Sequence, residues 1–134
     1  MELSEHGNTI VVPAQPDSVR VVRKTLAREL SDRQVDSEST FNVLLVASEL
    51  IANAIEHGSR PGDEVALAYT IGSKQVQLVV RDNARRGRAP TALTSDAERA
   101  NGRGLHLVER IASWEERIVN GHREVSAAVP IAGR

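Results

Sequence analysis

Residues 41–58 read Phe-Asn-Val-Leu-Leu-Val-Ala-Ser-Glu-Leu-Ile-Ala-Asn-Ala-Ile-Glu-His-Gly. Phe41, Leu44, Leu45, Ser48, Ile51, Ala52 and Ile55 recur at helical spacing, so the stretch predicts a long helix with one face on a core. Glu49 and Asn53 are four residues apart and stack on a neighbouring face. Gly58 is suited to end the helix, because glycine tolerates positive φ. A carboxylate and an amide set in so apolar a helix need partners, since an unpaired buried polar group costs roughly 1–3 kcal/mol. Neighbouring backbone groups are one source of partners. A hard cation is the other, because Asn and Glu supply the oxygen donors that Mg²⁺ accepts alongside water and phosphate.

The rest of the 134-residue chain limits the alternatives. Its length suits one domain spanning 1–134. Phe41, Tyr69 and Trp114 are the only aromatics, so the core must be built from Val, Leu, Ile and Ala, and the scarcity argues against a base-stacking nucleic-acid platform. A net charge of −1 gives no field favouring nucleic acid or membrane. The absence of cysteine removes thiol catalysis and disulfides. No apolar run reaches the ~20 residues of a membrane span, and the start of the chain, lacking a positive n-region and an apolar h-region, does not read as a secretory signal. A cytoplasmic setting is the expectation.

In chain order, Asn8–Pro13 reads as an edge strand closed by proline. Asp17 or Ser18 is placed to cap a helix to about Leu30, with Val19, Val22, Leu26 and Leu30 inward. Arg20, Arg23, Lys24 and Arg28 share another face, either solvated or a docking surface for an acidic partner. Asp36–Ser39 caps the long helix. Strands at Glu64–Ile71 and Gln75–Arg81 alternate apolar and polar residues and form a hairpin. From Asn83 to Asn101 there is no sustained periodicity, beyond a possible capping box at Ser95 and Glu98, and a loop of that length suits a lid, about 84–101. A helix from Gly102 to about Ser113 follows, then strands Glu115–Val119 and Glu124–Val129 around Asn120-Gly121, a tight-turn dipeptide. Trp114 reads as a core anchor. The element order gives an α+β fold, a two-layer sandwich with helices on one face of a mostly antiparallel mixed sheet.

Two further features carry chemistry. Gly102-Arg103-Gly104 opens a helix, where backbone N–H groups and the helix dipole suit a phosphate, although taken alone the pattern reads better as a plain turn. No Walker-type phosphate motif exists. Asp82 ends a strand; it is either an ordinary turn residue or a fixed acceptor for an exocyclic amino group such as that of adenine.

Taken in order, Glu49-x-x-x-Asn53, Asp82 after a strand, and Gly102-x-Gly104-Leu105 resemble the N, G1 and G2 boxes of the GHKL ATP-binding (Bergerat) fold. That superfamily includes gyrase, MutL and histidine kinases. Glu-Leu-Ile-Ala-Asn-Ala-Ile-Glu-His and Gly-Arg-Gly-Leu-His-Leu-Val look closest to bacterial anti-sigma-factor serine/threonine kinases. The resemblance implies ATP and Mg²⁺ as ligands. It implies Glu49 as general base, Asn53 as the Mg²⁺ ligand and Asp82 as acceptor of the adenine amino group. It further implies Ala84 and Gly87 in the first glycine box, and Gly102, Arg103, Gly104 and Leu105 along the phosphates. Its partners would be a sigma factor and an anti-sigma-factor antagonist, with a homodimer as the implied assembly. The box departs from Asp-x-Gly-x-Gly: Ala84 stands at a glycine position, Arg86 at the next, and Gly87 comes one place late. Arg85, Arg86 and Arg88 follow Asp82 as phosphate contacts or as a solvated lid. The departure motivates an alternative, a non-catalytic binding module of the same fold with weak or no ATP binding.

Overall fold

A computed structural model describes residues 6–57, 59–60, 62–82 and 108–132. The elements are β1 (His6–Pro13), α1 (Ser18–Asp32), α2 (Ser37–His57), β2 (Glu64–Ile71), β3 (Gln75–Asp82), β4 (Ser113–Val119) and β5 (His122–Pro130). The strands form one sheet in the order β1-β2-β3-β5-β4, and all four pairings are antiparallel. The expected mostly antiparallel sheet is thus antiparallel throughout its described strands. Both helices pack on the same side, α1 against β1 and α2 across β2, β3 and β5. This is the expected α+β sandwich.

Alternation decides the inner face. Val65, Leu67, Tyr69 and Ile71 of β2 meet Val76, Leu78 and Val80 of β3 and Val125, Ala127 and Val129 of β5 in one buried layer. From above, α1 contributes Val22, Leu26 and Leu30. Burial of Tyr69, reinforced by the negative charge of Glu29, pushes its phenol up from the usual tyrosine value.

Local chemistry sets the helix ends. Ser18 does not cap α1; its hydroxyl donates to the Pro13 carbonyl at 2.6 Å. Asp17 is helical in conformation with no side-chain cap bond, because the 15–18 turn runs straight into the helix. At the other end Val35 N–H bonds to the Leu30 carbonyl and Gln34 N–H to that of Ser31, a Schellman closure. Gln34 holds the left-handed position, φ 63°, that glycine usually takes. The expected cap of α2 is present: Asp36 Oδ2 accepts the Ser39 N–H at 3.0 Å. Bonds from Ser39 hold the Asp36 carboxyl below its usual value.

Two further expectations need correction. The buried face of α2 is Val43, Val46, Ala47, Leu50, Ile51, Asn53 and Ala54, while Phe41 is 62% exposed. The helix is apolar nearly all round, so periodicity alone could not orient it; the sheet and α1 did. The last helix does not reach Ser113. A helical stretch at 108–111 ends with Ala112 N–H on the Val108 carbonyl, and β4 begins at Ser113. Trp114 therefore lies within a strand, half-buried against the core. The Asn120-Gly121 turn is as expected, with φ of 52° and 81° and Val119 paired to His122.

Two adjacent register positions carry charge, one on each face of the sheet. Outward, Glu124 accepts two bonds from Arg81, at 2.8 and 3.2 Å, and lies 3.8 Å from Arg117. Inward, one residue away, Arg123 sits between Asp82 and Glu116.

Candidate nucleotide site

The helix α2 delivers two of the expected site residues. Glu49 is half-buried, and Asn53, one turn on, is 4% exposed on the core face. Expected on a flank, Asn53 instead points into the protein side of the helix. Its Oδ1 is buried and accepts no hydrogen bond among the described residues. A core amide is ordinarily satisfied, so an acceptor left open is a structural cost that folding alone does not explain. An amide oxygen is a donor that Mg²⁺ takes, and it therefore fits a cation that completes its shell with water and phosphate.

Asp82 comes from the other layer. It continues the inward series Val76, Leu78 and Val80 of β3, and is 2% exposed. α2 packs over this strand, so Asn53 and Asp82 lie on the two faces of the same interlayer space. Asp82 is already paired. Arg123 Nε and Nη2 both donate to Asp82 Oδ2, at 3.1 and 2.8 Å. Arg123 Nη1 donates to Glu116 Oε2 at 3.3 Å. The side chains of Arg123 and Asp82 are each 1% exposed, that of Glu116 9%.

Burial raises the Glu116 carboxyl above its usual 4.5; the Arg123 charge opposes this and the Asp82 charge adds to it. A raised folded value means the folded state binds the proton more tightly than the unfolded one. The Glu116 contribution to stability is then present below the usual 4.5 and declines as pH rises through the raised value. Glu116→Gln keeps an oxygen acceptor for Arg123 and removes the titration. Its thermal stability is expected to match or exceed wild type above that window and to show a flatter pH profile from pH 4 to 7. A variant whose disadvantage grows with pH would refute this sign.

Ala84, Gly87, Gly102, Arg103, Gly104 and Leu105, with the expected lid, lie outside the described residues. Gly58 does too. The basic stripe is on the surface, as both readings of it require: Arg20, Arg23, Lys24 and Arg28 are exposed, with Arg23 donating to Ser48 Oγ at 2.7 Å. Arg123 and Glu116 went unnoticed in the sequence. The signal was there, since extending the alternation of Val125, Ala127 and Val129 back two places puts Arg123 inward.

Residues 12–125 match the histidine kinase-like ATPase domain family. The chain belongs to that family. Relatives of this histidine kinase-like ATPase domain include the serine-protein kinase RsbW of Listeria monocytogenes serotype 4a (strain HCC23), 27% identical over 115 residues, covering 77% of this chain and 73% of the relative. The same protein of serotype 4b (strain CLIP80459) matches equally. Among solved structures, the RsbU and RsbW domains of Rv1364c from Mycobacterium tuberculosis superpose on 94% of this ATPase-like domain with a TM-score of 0.67 at 21% identity. The chain spans 32% of that structure's chain. The SiaB–SiaC complex from Pseudomonas aeruginosa superposes with a TM-score of 0.59 at 15% identity, covering 92% of this chain and 89% of that one. At these identities the two structures speak for the shared fold. No helix among the described residues is long and apolar enough to cross a membrane.

Proposed function

We propose that this chain is an ATP-dependent serine/threonine protein kinase of the anti-sigma-factor type. In this reading it binds a sigma factor in the cytoplasm, as a homodimer, and phosphorylates an antagonist protein on Ser or Thr. The observation that carries the reading is the buried open acceptor of Asn53, one turn from Glu49, in a chain of the histidine kinase-like ATPase family.

Asn53 would hold Mg²⁺, with phosphate oxygens and water as the other ligands. When bound, the ion supplies charge neutralisation to the phosphates, the main requirement of phosphoryl transfer. Glu49 would accept the proton of the attacking hydroxyl as that oxygen bonds to the γ-phosphorus and the bond to the leaving ADP oxygen breaks. Asp82 would receive the adenine amino group. Ala84, Gly87, Gly102, Arg103, Gly104 and Leu105 would line the nucleotide.

Calorimetric titration with ATP, with and without Mg²⁺, tests this. Magnesium-dependent binding is expected, weakened at least about tenfold in Asn53→Ala, because the chelating oxygen is lost. The same variant is expected to keep or gain thermal stability, since alanine removes a buried acceptor with no bond. Equal affinity in wild type and variant would remove Asn53 from the site.

The Asp82–Arg123 pair favours a second reading, the non-catalytic binding module, in which the acidic group serves the fold. Tight partner binding indifferent to ATP would support it.

A further inference from the structure

Arg123 is as deeply buried as Asp82, and both of its bonds to Asp82 land on one oxygen. Its third bond, to Glu116, anchors the guanidinium from the neighbouring strand, so the fork is held at both ends. A carboxylate compensated in this way offers less to an incoming amine. An amine that approaches that oxygen must share it with two charge-assisted bonds made inside a water-poor layer, where such bonds are strongest, and one that approaches the other oxygen meets a carboxylate whose charge Arg123 already compensates.

Resting on the kinase reading, we propose that Arg123 is an internal competitor for the base-recognising carboxylate and sets the nucleotide affinity and base selectivity of this chain. In this reading adenine and Arg123 donate to the same carboxylate. Apparent affinity falls by the fraction of molecules in which Asp82 is available to the base. Discrimination falls with it, because selection for adenine over guanine depends on the amino group reaching that acceptor. Arg123 is not a phosphate contact in this account, and its influence is on the base alone. Its effect is therefore the opposite of a supporting residue: weakening its grip raises affinity.

The test is titration of ATP and GTP, each with Mg²⁺, into the full chain carrying Arg123→Lys or Arg123→Thr. Lysine keeps the charge that compensates Asp82 and so protects the fold, but a single ammonium cannot reproduce the two-point grip together with the bond to Glu116. Threonine removes the competitor altogether and is read only where circular dichroism shows it folded; Arg123→Lys decides by itself otherwise. Wild type is expected to bind ATP weakly and to prefer it over GTP by less than about threefold. Arg123→Lys is expected to tighten ATP at least about fivefold and leave GTP unchanged, with a larger gain in a folded Arg123→Thr. A wild type that silently ignores ATP while Arg123→Lys binds it supports the competitor equally. Magnesium-dependent ATP binding that Arg123→Lys leaves unchanged or weakens overturns the competitor and leaves the kinase reading standing. No binding by wild type or by folded variants overturns both.

Discussion

Arg123→Ala is expected to destabilise the fold by about 3–5 kcal/mol, because it removes the guanidinium that compensates two carboxylates in a buried layer. That is a large share of the roughly 5–15 kcal/mol that separates a typical domain from its unfolded state. Asp82 and Glu116 then face each other with 1% and 9% side-chain exposure and no cation between them. The loss measures the penalty of removing one member of a buried ion pair rather than the net worth of the intact triad. Replacing all three residues by apolar ones of similar volume is accordingly expected to cost far less than the single change. Urea denaturation of the single and triple variants checks this; a triple variant as unstable as Arg123→Ala would contradict it.

Glu49→Ala is the second large effect, and it falls on activity. A positioned base contributes about 10²- to 10⁴-fold to rate, and phosphate transfer to a Ser or Thr of the antagonist should fall by that factor. ATP affinity should stay close to wild type, since the carboxylate acts on the hydroxyl rather than on the nucleotide. Glu49 is half-buried at the mid-length of α2, so its removal opens no cavity comparable to that of a core leucine. Single-turnover transfer with radiolabelled ATP, alongside the titration, separates the two quantities. Transfer that survives in Glu49→Ala would remove the base assignment; a joint loss of binding and transfer would make Glu49 part of the nucleotide site instead.

Much of this was legible in the sequence because it rests on local rules. Strand alternation located β2 to the residue, and Asn120-Gly121 located the last turn, since both are set within a few neighbouring positions. The orientation of α2 was not legible. Its apolar residues surround the helix, and only contact with the sheet selected Val46 and Leu50 over Phe41. Asn53 changed meaning with that rotation, from a flank residue to a buried one with an open oxygen. The end of α1 hid for another reason: Gln34 takes a glycine conformation without being glycine. The Asp82–Arg123 pair spans 41 positions, and no window along the chain joins its members.

Arg123 and Glu124 are adjacent in the chain, yet each completes a charge triad on the opposite side of the sheet. A β5 that docked one residue out of step in one direction would set Glu124 against Asp82. In the other direction it would set Arg123 against Arg81. Either error also turns Val125 and Val129 toward the outside. The dipeptide thus marks the native alignment electrically: either slipped register is disfavoured by repulsion as well as by lost burial.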